Sequence, residues 1–265
     1  MSADFTVDGK RAHAATGSRE SAPDEPAVLL IHGAGMDRTV WQFQTRNIAF
    51  HGRRAFAIDL PAHGYSEGPA LIEIPELADW VTCFMDAAGM ASATIMGHSM
   101  GSQIALDLAA RHPERVEHLI LTGVAEQMPV HPDLLAAARA DDPLASELIV
   151  FWGLGEKAQT GGHPLPGLWV HGACEVLLKN ARSGVLGVDL AACDAYKAAP
   201  EAAAKVHCPT HFVLGRDDRM TLAKSGRALA QVIAGSEVTV LDRCGHMMMA
   251  ERPNEMYRAL RPLIF

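Results

Sequence analysis

Apolar residues recur along this chain in two rhythms that alternate. AVLLIHG at 27–33 is an unbroken apolar run ending in glycine, the pattern of a strand buried on both faces of a parallel sheet. RRAFAIDLP at 53–61, ASATIMG at 91–97, VEHLILTGV at 116–124, CPTHFVLG at 208–215 and EVTVLD at 237–242 repeat it. Between them lie segments of helical character: 37–51, the amphipathic stretch from Pro75 to Gly89, 99–112 ending before Pro113, 221–234, and a closing helix from about Pro253. The Asp8-Gly9 pair between two short alternating segments predicts a hairpin over 5–16. Strand-helix alternation of this kind predicts an α/β fold with a mostly parallel central sheet flanked by helices. The rhythm stops between 126 and 204, where Pro129, Pro132, Pro143, Pro164, Pro166 and Pro200 punctuate apolar helical pieces and no strand pattern occurs. The expected organisation is therefore a core of 1–125 and 205–265 carrying a helical cap over 126–204. An alanine-rich stretch at 198–204 would lead the chain back to the core.

The strand–turn–helix at 91–112 contains Gly97-His98-Ser99-Met100-Gly101, the pattern of a nucleophile elbow. So tight a turn leaves no room for side chains two residues either side of the serine, which gives both glycines a steric reason. The serine then stands at a helix N-terminus, where the Met100 N–H has no partner within the helix and can face a developing oxyanion. After the strand at 208–215 comes Arg216-Asp217-Asp218-Arg219, and after the next strand comes Cys244-Gly245-His246. Acid and base thus follow the serine in the order Ser, Asp, His, each at a C-terminal strand end, where α/β sheets build their sites. Either aspartate is available as the acid, since the other can cap the next helix or pair with a neighbouring arginine. In His32-Gly33-Ala34-Gly35 small residues let a backbone N–H approach a substrate carbonyl, and Ala34 is the expected second oxyanion donor. His32 and His98 read as structural.

Composition narrows the ligand. A net charge of -8 without a Lys/Arg cluster argues against nucleic acid and suits a neutral small molecule. No apolar run is long enough to span a bilayer and the N-terminus lacks the features of a signal peptide, so a cytoplasmic protein without membrane partner is expected. Cys83, Cys174, Cys193, Cys208 and Cys244 are scattered and form no CxxC pair, which suggests reduced packing residues. His207, Cys208 and His211 come nearest to a metal constellation, but they lie on a strand-like segment without ligand spacing elsewhere. Neither metal nor cofactor is expected.

Taken together, LLIHGAG, AIDLPAHGYS, IMGHSMGSQIAL, VLGRDDRM and LDRCGHMMMAERP resemble the α/β-hydrolase family along nearly the whole chain. The resemblance implies that the aspartate three residues after Gly215, Asp218 and not Asp217, is catalytic, and that the cap lies over the serine. One departure is Ala62, where the family's DLPxHG loop usually carries glycine. The implied chemistry is acyl transfer: His246 accepts the proton of Ser99, Asp218 stabilises the imidazolium, and Ala34 and Met100 hold the oxyanion. Trp152, Trp169 and Met247 are the candidates to line a substrate pocket, with Leu168, Met248 and Met249 near them, and His163, His171 and Arg219 are candidates to meet a carboxylate. An apolar carboxylic ester is the expected substrate. The rivals are the family's carbon–carbon bond hydrolases of ring-cleavage products and its enol-lactonases, a non-catalytic binding protein on the same scaffold, and acyl transfer to an acceptor other than water. Against the carbon–carbon hydrolases, which typically show Gly-Asn-Ser-Met-Gly and a Trp after the catalytic His, this chain has His98 and Met247.

Overall fold

Asp8 and Gly9 both take positive φ and turn β1 (Ser2–Val7) back on β2 (Lys10–Ala15), as the two-residue Asp-Gly signal requires. The computed structural model describes residues 2–163, 165 and 167–265; Pro164 and Pro166, counted above among the prolines of the cap, lie outside the described residues. The chain continues through β3 (Ala27–Ile31), α1 (Gln42–Phe50), β4 (Arg54–Ile58), α2 (Ile74–Ala87), β5 (Ala93–His98), α3 (Met100–Arg111) and β6 (Val116–Thr122). Six helices follow among the described residues: α4 (Pro132–Arg139), α5 (Leu144–Gly153), α6 (Glu156–Gln159), α7 (Val170–Lys179), α8 (Val185–Ala195) and α9 (Ala199–Ala203). Strand β7 (Thr210–Gly215), α10 (Ala223–Val232), β8 (Glu237–Leu241), α11 (Met248–Glu251) and α12 (Pro253–Ile264) complete the fold. Among the described residues no helix is long and apolar enough to cross a membrane.

One eight-stranded sheet runs in the order β1-β2-β4-β3-β5-β6-β7-β8, antiparallel at β1/β2 and β2/β4 and parallel from β4 to β8. Every residue of β3, β5 and β7 is buried, which explains the unbroken apolar sequence of β3 and the mostly apolar ones of β5 and β7. In β1 exposed and partly buried positions alternate instead, because this edge strand is covered on one face, with Phe5 packed edge-on against Phe56 and Phe84. A fully buried Leu or Ile in such a strand contributes about 1.5–3 kcal/mol. Helices α1 and α12 contact one another, as do α2, α3, α9 and α10 in succession, so the sheet is covered by two helical layers.

The chain leaves β3 toward β4 on one side and returns to β5 on the other. The strand order therefore reverses between β3 and β5, and the loops beyond their C-terminal ends part to leave a crevice. Residues 32–36 and Ser99 occupy that place.

Candidate active site

Ser99 ends β5 with φ 53° and ψ -117°, a backbone region that costs a non-glycine residue on the order of 1–3 kcal/mol. Packing and hydrogen bonds enforce it. A Cβ on Gly97 would overlap the Gly101 carbonyl, and one on Gly101 would overlap the Ile31 carbonyl of the neighbouring strand. The Ser99 N–H donates to Thr122 O at 2.9 Å, while the Thr122 hydroxyl donates to Gly97 O at 2.8 Å. The elbow is thus clamped between β3 and β6, and it starts α3 with Met100 as the first helical residue.

Asp218 and His246 meet across the ends of β7 and β8. The Asp218 side chain accepts four hydrogen bonds. Oδ1 takes the N–H groups of Met220 (2.8 Å) and Thr221 (2.9 Å), and Oδ2 takes the Thr221 hydroxyl (2.7 Å) and His246 Nδ1 (2.7 Å). Both side chains are buried, whereas Asp217 is exposed and its backbone N–H donates to Cys244 O at 2.8 Å. Since Nδ1 donates to a carboxylate, the Nε2 of a neutral His246 is left as the acceptor. Gly123 gives the ring its room, because a Cβ there would stand 2.9 Å from His246 Cε1.

Three further contacts hold the His246 loop, and the sequence reading missed two of their donors and acceptors. His246 N–H donates to Gly153 O at 2.5 Å, the last residue of α5. His98 Nε2 lies 2.9 Å from His246 O and must be its protonated nitrogen; burial, with His246 nearby, pushes the ring well below the ordinary histidine value, so it is neutral. Glu251, buried in α11, accepts from the N–H groups of Gly155 (2.9 Å), Gly245 (3.0 Å) and Met247 (3.1 Å), and burial raises its pKa against these three donors. Nothing in the pattern around MMMAERP marks Glu251 as more than a helix residue, since its partners are backbone groups. Glu251→Gln replaces one acceptor oxygen by a donor facing those amides and leaves at least one buried N–H unpaired, at about 1–3 kcal/mol each. Thermal denaturation is expected to show a clear loss of stability together with reduced activity, and an unchanged melting temperature would contradict this role.

Ser99, His246, Thr221 and Ala34 open onto one cavity of about 370 Å³. Its other walls are mostly apolar: Met36 from the loop after β3, Leu134 from α4, Ile149 and Trp152 from α5, and Leu190 and Cys193 from α8. Burial drives the Cys193 thiol far above its ordinary pKa, so it acts as an apolar surface. Among the described residues the N–H groups of Ala34 and Met100 have no protein acceptor. Arg219 lies at the cavity wall with its guanidinium 6.0 Å from the Phe151 ring centroid.

Two of the three pocket candidates are not brought here. Trp169 is 59% exposed and stacks on His171, with ring centroids 5.6 Å apart. Met247 is buried but faces a separate small cavity beside Thr39, Leu168 and Cys174, since the chain turns into α11 straight after His246 and carries the methionines behind it; Met248 and Met249 are core. His163 also lies elsewhere, bonded to Ala250 O at 2.7 Å. His32 is structural: it accepts from Leu60 N–H at 3.1 Å, and burial lowers its pKa to about 3. Among the described residues no group of three or more His, Cys, Asp or Glu is placed to hold a metal ion, and His211 Nε2 is 2.8 Å from the Thr239 hydroxyl.

A family model described as the alpha/beta hydrolase fold matches residues 26–154. The chain is 28% identical over 247 residues to a pimeloyl-[acyl-carrier protein] methyl ester esterase of Neisseria meningitidis, covering 86% of this chain and 89% of that protein. It is 27% identical over 256 residues to a 2-hydroxymuconate semialdehyde hydrolase of Pseudomonas sp. strain CF600, covering 89% and 87%. Among solved structures, the enol-lactonase of Burkholderia xenovorans LB400 superposes with a TM-score of 0.88 at 25% identity over 99% of both chains. With its sheet order, its sharp turn at the strand reversal and these likenesses, the chain has the α/β-hydrolase fold.

Proposed function

We propose that this protein hydrolyses a carboxylic ester with an apolar acyl group through an acyl-enzyme intermediate on Ser99. The observation that carries the reading is that a strained serine, a carboxylate-bound imidazole and Ala34 line one apolar cavity, with the N–H of Met100 directly after the serine left without a protein acceptor among the described residues. His246 Nε2 takes the hydroxyl proton as Ser99 Oγ attacks the carbonyl carbon, and the buried Asp218 stabilises the imidazolium. Ala34 and Met100 N–H receive the charge that develops on the carbonyl oxygen. His246 returns the proton to the leaving alcohol, then draws one from water, and the resulting attack frees the acid and restores Ser99. The reading places the protein in the cytoplasm and takes residues 126–204 as a cap whose helices roof the cavity.

The esterase and enol-lactonase relatives support ester cleavage, open-chain or cyclic, since a lactone needs the same groups. The semialdehyde hydrolase relative keeps carbon–carbon cleavage as the second reading. The test is a fluorophosphonate probe with mass mapping of the label, alongside turnover of short- and medium-chain nitrophenyl esters, an enol-lactone and a vinylogous diketoacid. Ester turnover with label on Ser99 supports the proposal; label with diketoacid turnover alone transfers the site to carbon–carbon cleavage, and absence of label defeats it.

Trp152 lines the cavity and packs near His131, ring centroids 5.4 Å apart. Trp152→Ala is expected to lower kcat/KM for medium-chain esters about tenfold, the scale of one lost apolar contact, with a smaller effect on acetate esters. Trp169→Ala, on the exposed indole, is expected to leave the chain-length profile unchanged.

A further inference from the structure

A buried polar link between the helices of 126–204 and the sheet-end loops lies beside Ala34. Asp189, on α8, is 1% exposed, and its Oδ2 accepts both the Gly35 N–H and His63 Nε2, each at 2.8 Å. The other ring nitrogen of His63 is 2.9 Å from Pro61 O. Carbonyl and carboxylate oxygens only accept, so both His63 nitrogens carry protons and the ring is an imidazolium paired with a carboxylate. Burial by itself draws the ring's pKa down, and the charge and hydrogen bond of Asp189 more than reverse this, leaving it above the ordinary value. The charged or titratable groups facing it are Asp189 from α8, Asp59 from the end of β4 and His32 from the end of β3, whose ring is 4.7 Å away and neutral. Arg182 adds a second link to the same loop through the carbonyls of Gly64 (3.1 Å) and Ser66 (2.8 Å).

Gly35 follows Ala34 directly. Its N–H and that of Ala34 belong to peptide planes that share the Ala34 Cα, so a group that holds the first in place restricts the φ and ψ rotations by which the second could turn away from the cavity. Resting on the hydrolase reading above, we infer that Asp189 and His63 are positioning residues of a buried charged clamp that aims the Ala34 N–H at the substrate carbonyl. The helix carrying Leu190 and Cys193 over the cavity thereby also completes the machinery beneath it. Neither side chain touches the reacting atoms; both act through the backbone of residues 34 and 35.

The test compares wild type with Asp189→Asn, His63→Gln and His63→Leu. Asparagine can keep an acceptor oxygen at the Oδ2 position for both hydrogen bonds but removes the negative charge that holds the buried ring protonated. Asp189→Asn is expected to lower kcat for a nitrophenyl ester about ten- to a hundredfold, short of the hundred- to thousandfold loss of an oxyanion donor, with KM nearly unchanged. The fluorophosphonate reaction rate should fall in parallel. His63→Gln, which keeps an N–H donor, should retain more activity than His63→Leu.

Linkage gives the pH sign: a histidine raised in the folded state above its ordinary value of 6.5 contributes stability that is complete below that value and lost as pH rises through the folded pKa. The melting-temperature gap between wild type and His63→Gln should therefore narrow on the alkaline side. If Asp189→Asn does not fold, nitrogen NMR of wild type, assigned against His63→Gln, is expected to show both His63 nitrogens protonated at pH 7. Wild-type kcat in a folded Asp189→Asn, or a neutral His63 at pH 7, overturns the clamp while leaving the hydrolase reading intact. A wild type that neither labels nor turns over any acyl substrate overturns the hydrolase reading, and the catalytic role of the clamp with it.

Discussion

Ser99→Ala is expected to lower kcat for a nitrophenyl ester by at least about 10⁴-fold and to abolish fluorophosphonate labelling, because the other hydroxyl among the described cavity residues, Thr221, is tied to Asp218. Cys193 shares the cavity but is a fully protonated buried thiol and gives no alternative route. The variant should melt close to wild type, since alanine occupies the same strained backbone. Ser99→Gly should be equally inactive yet melt higher, because glycine adopts φ 53° freely and releases part of the on the order of 1–3 kcal/mol stored in the elbow. Measuring kcat and melting temperature on both separates the chemistry of the hydroxyl from the cost of presenting it. Retained turnover in either variant would remove Ser99 from the mechanism.

The neighbouring aspartates make the second large contrast. Asp218→Asn is expected to reduce kcat about 10⁴-fold. The amide that replaces Oδ2 would donate to His246 Nδ1, drive the ring proton to Nε2 and leave no lone pair to accept from Ser99. It would leave the two N–H bonds from Met220 and Thr221 to Oδ1 in place but disturb the bond from the Thr221 hydroxyl to Oδ2. Asp217→Asn, one residue earlier and exposed, is expected to change kcat by less than about twofold, the ordinary result at a surface position away from any such feature. Steady-state kinetics on the pair decide which carboxylate serves; equal losses in both would mean that the 2.7 Å contact to His246 is not the working one.

These contrasts also show how unevenly the site was legible. The turn was plain because its pattern is local: Gly97 and Gly101 crowd one another across the serine, although the clash that imposes glycine at 101 comes from the Ile31 carbonyl of the neighbouring strand. The two aspartates were indistinguishable by spacing from strand and helix alone, and only the family resemblance favoured Asp218. Their difference lies in which one the turn after β7 buries against His246, a residue 28 positions away from Asp218. The pocket candidates fared worse. Trp152, Trp169 and Met247 are equally apolar in sequence, but one wall of the cavity, one solvent-exposed stack and one separate cavity receive them. Ala62 shows the reverse case, since a departure noticed in the sequence proves to be a residue held at φ 67°, where glycine would be free of strain.

The chain by itself determined the α/β architecture, the sharp strand-to-helix turn at Ser99 and the placement of Asp218 and His246 after successive strands, because hydrophobic period, turn sterics and strand ends are written in neighbouring residues. Only the tertiary structure decided what those groups meet. Glu251 under the His246 loop, Gly153 at the end of α5, and Asp189 with His63 beside Ala34 are contacts between segments far apart in sequence, and Asp189 and His63 lie 126 positions apart. A buried carboxylate is selected by the donors that surround it, and those are backbone groups or distant side chains that leave no local pattern.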